Sequence, residues 1–226
     1  MAVPSDQLPE FDTVILAGGH ASRMGGVDKP GLAVGGLPML VLVARVAADA
    51  GTRQLIVVGP ERHGAVGRGL SDVADRVPGG LITACEEPPG GGPVPALRCG
   101  LDRVGAPWVS LLAADLPFMS ASCLAELIVH ARDSGRAGAM LVDDRDRPQW
   151  LASCWHVDDL RQSLGSYEGD SLGGLLGPLA AASLRAASLT GDLPPWHDCD
   201  SPADLAAAQS ACHSGGDCHG RRDGDL

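Results

Sequence analysis

Lysine is nearly missing from this chain: of 17 basic residues, Lys29 is the single lysine and the other sixteen are arginines. Aromatic residues are scarce too, at 3% of 226 positions, so the core has to be built from Leu, Val and Ala, and Trp150 and Trp155 read as core or interface residues rather than stacking platforms. Positive charge is in short supply. A formal net charge of −11 would repel a phosphate backbone or an anionic membrane, which excludes general nucleic-acid and membrane-surface binders but not a single nucleotide held by local cations. The start, Met1-Ala-Val-Pro-Ser-Asp-Gln, has neither a basic nor an apolar leader region, and no apolar run reaches about 18 residues. Neither secretion nor a membrane span is expected. The seven cysteines are odd in number and scattered, which suits reduced thiols in a cytoplasm better than a disulfide framework.

What is present is an alternation of strands and helices. Apolar residues make up 45% of the chain, enough for one good-sized core. Apolar periodicity places strands at 13–17, 54–58, 81–84, 108–113 and 137–142. Helices fall at 38–51 and 95–104, around Leu124, Leu127, Ile128 and Ala131, and as a short, weakly patterned one within 61–77. This is an α/β chain with a mostly parallel sheet and helices on both faces, a Rossmann-like three-layer α/β/α sandwich. Beyond 143 come a charged hairpin turn, a strand at 149–155, helices at 156–164 and 171–176, and an edge strand at 183–189. Ser201-Pro202-Ala203-Asp204 has the form of a helix start: N-cap serine, proline at N1, acid at N3. A single domain over 1–210 is expected, followed by a disordered tail over 211–226 whose deletion leaves fold and turnover intact. The Cys-His pairs at 212–213 and 218–219 lack further ligands and are not read as a zinc site.

In a parallel sheet, ligands sit beyond the carboxyl ends of the strands, which directs attention to loops 18–29, 59–63, 85–93 and 114–117. The first of these is the richest. Val14-Ile15-Leu16-Ala17 runs into Gly18-Gly19-His20-Ala21-Ser22-Arg23-Met24-Gly25-Gly26-Val27-Asp28-Lys29. Four glycines allow backbone N–H groups to approach an anion, and Arg23 and Lys29 supply fixed cations for a polyphosphate. Using the only lysine here suggests a compact point charge. The stretch is neither a P-loop nor a Rossmann dinucleotide fingerprint. Asp115 stands at the end of a strand, two residues before Pro117. Asp198 and Asp200 share one side of an extended segment by their spacing of two. Glu86 and Glu87 open a loop ending Gly92-Pro93.

Leu16-Ala17-Gly18-Gly19, Arg23-Met24-Gly25 and Lys29 together resemble the L-A-G-G-x-x-x-R-M-G-x-x-K signature of nucleotidyltransferases. The Gly25-Gly26-Val27-Asp28-Lys29 ending is most similar to molybdenum cofactor guanylyltransferases. The resemblance implies a nucleotide-diphospho-sugar transferase-like fold. It implies a nucleotide site of Leu16, Ala17, Gly18, Gly19, Arg23, Lys29, Glu86 and Asp115, with Arg23 and Lys29 on the phosphates. Asp115 would bind Mg²⁺ and the triphosphate, Asp200 would approach the metal or product phosphate, and Asp198 would stand beside it. Glu86 is favoured over Glu87 by its spacing to Gly92-Pro93. Arg147-Pro148-Gln149 stands where relatives often present His-Pro to the acceptor.

The implied reaction is transfer of GMP from GTP to molybdopterin loaded with molybdenum, with release of pyrophosphate. Gly18-Gly19, in place of the Ala-Gly of cytidine-using relatives, favours GTP over CTP. An apo-molybdoenzyme or its chaperone is the expected recipient of the product. The competing readings are a cytidylyltransferase, a nucleotide-binding module without turnover and, lower, a sugar-1-phosphate nucleotidyltransferase.

Overall fold

The computed structural model describes residues 8–18, 28–185 and 193–214, the side chains of the last helix as far as Cys212. Seven strands form one sheet: β1 (Phe11–Leu16), β4 (Leu55–Val58), β5 (Leu81–Ala84), β6 (Trp108–Ala113), β7 (Gly138–Val142), β8 (Pro148–His156) and β9 (Ala182–Leu184), in the order β5-β4-β1-β6-β8-β7-β9. The strands from β5 to β6 pair in parallel. β8 alone runs the other way, antiparallel to both β6 and β7, and β9 is parallel to β7. The mostly parallel sheet expected from the alternation is therefore present, with one reversed strand made by the charged hairpin after Val142.

Period-two alternation in β1 decides the layers. Phe11 and Ile15 face one side, where they join Leu55, Val57 and Leu112 under helices α1 (Met39–Asp49), α2 (Gly64–Ala74) and α4 (Ala121–Asp133). Val14 faces the other, with Ile56, Val58 and Leu111 under α3 (Pro93–Leu101), α5 (Val157–Ser166) and α6 (Leu172–Leu176). Each face buries Leu, Val and Ala, as the shortage of aromatics requires. At roughly 25 cal/mol per Å² of apolar surface, burial of this kind is the dominant favourable contribution. On the Phe11 and Ile15 side, Thr13 bonds to Thr52 (3.0 Å) and Ser110 (2.8 Å), so the buried hydroxyls satisfy one another.

Two features depart from expectation. A small hairpin, β2 (Ala33–Val34) and β3 (Leu37–Pro38), turns through Gly35 and Gly36, both at positive φ, and its two-residue strands are too short to leave a periodic trace. The last helix, α7 (Pro202–Ser214), continues past the boundary expected at 211. Residues 202–214 include no glycine and many alanines, so nothing stops the helix there. Its start is a capping box: Asp204 accepts from the Ser201 N–H (2.8 Å) and hydroxyl (2.6 Å), and the Ser201 Oγ accepts from Asp204 N–H (3.2 Å). No described helix is long and apolar enough to cross a membrane. Cys85, Cys99, Cys123, Cys154 and Cys199 are free thiols.

Candidate active site

From β1 the chain steps outward to β4 and β5, then returns to β6 on the other side of β1. That reversal leaves a crevice beyond the carboxyl ends of β1 and β6, where open α/β sheets take their ligands. Ala17 closes β1 against β4 by donating to Val58 O (2.7 Å), and Ala114 N–H donates to Leu16 O (3.1 Å), tying the end of β6 to the same place. Leu16 and Ala17 thus sit at the base of the crevice, and Gly18 is exposed at its lip. Gly19 and Arg23 lie outside the described residues.

Lys29 starts a single 3₁₀ turn, Lys29–Gly31, whose backbone is held by Gly31 N–H to Asp28 O and Leu32 N–H to Lys29 O, both 3.0 Å. Its ammonium contacts two carboxylates, Asp115 Oδ2 and Asp200 Oδ1. Burial lowers the lysine pKa, but the charges and hydrogen bonds of Asp115 and Asp200 outweigh it, so the ammonium is held above its ordinary value. Asp115 is presented by the turn after β6, which buried Leu116 and Met119 pin to the core. Asp200 is presented by an extended segment in which Cys199 points inward, fully buried against Val34, Met39, Leu42 and Ala208. This inward–outward alternation sends Asp198 and Asp200 outward together. Burial, then the charges of Asp200 and Asp115, raise the Asp198 pKa. His197, one residue earlier, meets Phe118 edge to face at 6.0 Å, joining this segment to the turn that carries Asp115.

On the β5 side, Glu86 is buried and Glu87 is exposed. Glu86 Oε1 accepts from Gly90 N–H (3.0 Å), and Oε2 is buried with no donor among the described residues. A Cβ placed on Gly18 would lie 3.8 Å from Glu86 Oε1, so this carboxylate borders the lip of the same crevice. Arg147 is directed elsewhere, onto Asp143 at its own hairpin.

Sequence reasoning marked loop 59–63 but assigned no residue in it. The structure puts Arg62 there, with Nη2 donating to Ala17 O (2.8 Å) and Nη1 paired with Asp28. Burial lowers its pKa. Its only sequence signal was position, four residues beyond a strand at the ligand-bearing edge.

Asp115 and Asp200 meet at one cation, and hard divalent ions take one or two carboxylates together with substrate phosphate oxygens. The donor set therefore fits Mg²⁺ shared with a triphosphate. Among the described residues no group of three or more His, Cys, Asp or Glu forms a metal cage by itself.

Comparison with known proteins gives a consistent result. The family described as "MobA-like NTP transferase domain" matches residues 13–186, a span that ends before Asp198 and Asp200. A molybdenum cofactor guanylyltransferase of Nitrobacter hamburgensis is 31% identical over 168 residues, covering 70% of this chain and 74% of that protein. The protein of that name from Rhodopseudomonas palustris is 33% identical over 171 residues, covering 72% and 76%. Among solved structures, a nucleotidyl transferase from Methanothermobacter thermautotroptrophicus superposes with TM-score 0.68 at 19% identity, over 89% of this chain and 96% of that one. Molybdopterin-guanine dinucleotide biosynthesis protein A from Archaeoglobus fulgidus does so with TM-score 0.61 at 16% identity, over 90% and 99%. The structural likenesses speak for the fold.

Proposed function

The chain belongs to the MobA-like NTP transferase family, and from that premise we propose that it transfers GMP from GTP to the terminal phosphate of a molybdopterin carrying molybdenum. An acceptor phosphate oxygen attacks the α-phosphorus, the bond to the β-phosphate oxygen breaks in line, and pyrophosphate leaves. The observation that carries this reading is the meeting of Lys29, Asp115 and Asp200 at the carboxyl edge between β1 and β6.

Asp115 and Asp200 are the residues that would hold Mg²⁺, which when bound neutralises charge on the triphosphate. With Asp115 and Asp200 holding the ion, the Lys29 ammonium beside them would be left to offset charge on the departing pyrophosphate. Phosphoryl and nucleotidyl transfer ask little covalent chemistry of the protein, so positioning and fixed charge carry most of the acceleration. Glu86 suits the base. Its Oε2, buried with no donor among the described residues, is an acceptor, and guanine offers two adjacent donors, N1–H and the exocyclic amine, where cytosine offers only its amine.

A pyrophosphate-release assay with the molybdenum-loaded acceptor, comparing GTP and CTP in the presence of Mg²⁺, tests the proposal. Turnover with GTP well above CTP is expected; equal or better use of CTP overturns the guanine assignment. Nucleotide binding without any pyrophosphate release would point to a carrier of the cofactor.

A further inference from the structure

Arg62 joins two parts of the chain that have no other described link: the end of β1 and the residue before Lys29. Its side chain is 10% exposed. Nη2 donates to Ala17 O at 2.8 Å, and Nη1 pairs with the half-exposed Asp28 carboxylate. Between Ala17 and Asp28 lies the glycine-rich loop. One planar guanidinium therefore holds both flanks of that loop at once, a task its fixed fork of donors suits.

Both ends of the contact rest in space made by glycine. A Cβ on Gly31 would come within 2.6 Å of Asp28 Oδ2 and 3.6 Å of Val66 Cγ2, so the carboxylate is seated where a larger side chain would stand. A Cβ on Gly67 would come within 2.6 Å of the Arg62 carbonyl oxygen, so α2 approaches the arginine backbone only because it has none. The arrangement is not one that stability alone favours. Arg62 Nε is buried with no acceptor among the described residues, and a desolvated guanidinium with an unmet N–H costs more than an apolar side chain of similar length.

We infer that Arg62 is a positioning residue that pins the two flanks of the glycine-rich loop and so sets Lys29 in place before the triphosphate arrives. The inference rests on the nucleotide reading given above. Holding Ala17 and Asp28 together before binding prepays part of the cost of placing Lys29, so the gain appears in nucleotide affinity rather than in the chemical step.

The test is Arg62→Met in the full chain, with steady-state kinetics in Mg²⁺ and GTP. The expected result is a KM for GTP raised about tenfold or more, a kcat within about threefold of the parent, and a melting temperature of the unliganded protein unchanged or higher. A merely structural arginine would lower the melting temperature and leave KM alone, and that result overturns the inference. Gly31→Ala, which displaces the Asp28 carboxylate, is expected to raise KM similarly and to add little to Arg62→Met in the double variant; full additivity counts against a shared clamp. Should Arg62→Met fail to fold, Asp28→Asn and Gly31→Ala carry the same comparison. Amide exchange at residues 16–18 and 28–32 of the unliganded protein separates this inference from the nucleotide reading. If the parent releases no pyrophosphate, the nucleotide reading fails, while faster exchange in Arg62→Met still supports the clamp and unchanged exchange overturns it.

Discussion

In the proposed reaction, Lys29 is the side chain on which the most charge chemistry converges. It is the single lysine of the chain, and among the described residues its ammonium contacts both Asp115 and Asp200. Removing a fixed charge that faces the transition state typically costs two to three orders of magnitude, so Lys29→Ala is expected to lower kcat by about 10² to 10³. Pyrophosphate release under saturating GTP measures it, and parental kcat in the variant would remove Lys29 from the mechanism. Gly59 matters for the opposite reason, the absence of a side chain. A Cβ there would lie 2.8 Å from the Ala17 carbonyl carbon, 2.9 Å from its oxygen and 3.0 Å from Gly18 N, all backbone atoms that cannot swing aside. Gly59→Ala is expected to push apart the ends of β1 and β4, destabilising the fold by about 1–3 kcal/mol. Thermal melting detects that loss, and KM for GTP should rise with it because the crevice base moves.

Among the elements, the β7–β8 hairpin shows charge used for architecture. Asp143 is nearly buried, and its carboxylate accepts from the N–H groups of Arg145 (2.9 Å) and Arg147 (2.8 Å) and from the Arg147 guanidinium (2.7 Å). The backbone bond from Arg147, more than any other contact, holds the Asp143 carboxyl below its ordinary range. A carboxylate depressed in the folded state stabilises above its unfolded pKa and loses that contribution as pH falls through the folded one. Asp143→Asn is therefore expected to melt below the parent at neutral pH, with the gap closing in acid. A gap that stays constant from pH 7 down to about pH 2 would show that the charge is irrelevant to the turn. The hairpin also reverses β8 in an otherwise parallel sheet, a departure that the charged turn announced in advance. By contrast, α2 was legible only as a short, weak helix. Its glycines, Gly64, Gly67 and Gly69, dilute the apolar pattern, and Val66, Leu70 and Val73 become a coherent face only against the sheet.

At the scale of the whole molecule, the far carboxyl-terminal segment completes a site founded near the amino terminus. Asp200 reaches Lys29 across 171 positions of sequence, and it does so because Cys199 is buried against the β2–β3 hairpin and α1 while α7 packs behind it. Cys212, in the last turn of α7, packs against that same cluster and lies near Gly35. Deleting residues 211–226, expected from sequence to be harmless, should instead cost on the order of 1 kcal/mol. A melting temperature lowered by a few degrees, with a larger KM than kcat effect, is the expected outcome; an unchanged melt would show that α7 needs no last turn.

The sequence by itself determined the α/β class, the order of nearly every strand and helix, and the identities of Lys29, Glu86, Asp115 and Asp200 as candidates. It did so because period-two and period-3.6 patterns and glycine-rich turns are local properties of the chain. Arg62 was different: a lone arginine beyond a strand has no local mark, and it acquires a role only when Ala17 and Asp28 are brought to it. That Glu86 is buried and Glu87 exposed likewise depends on which carboxylate the β5 loop turns inward. Only the tertiary structure decides such matters, because they depend on which distant backbones the packed sheet places side by side, and no spacing along the chain encodes that distance.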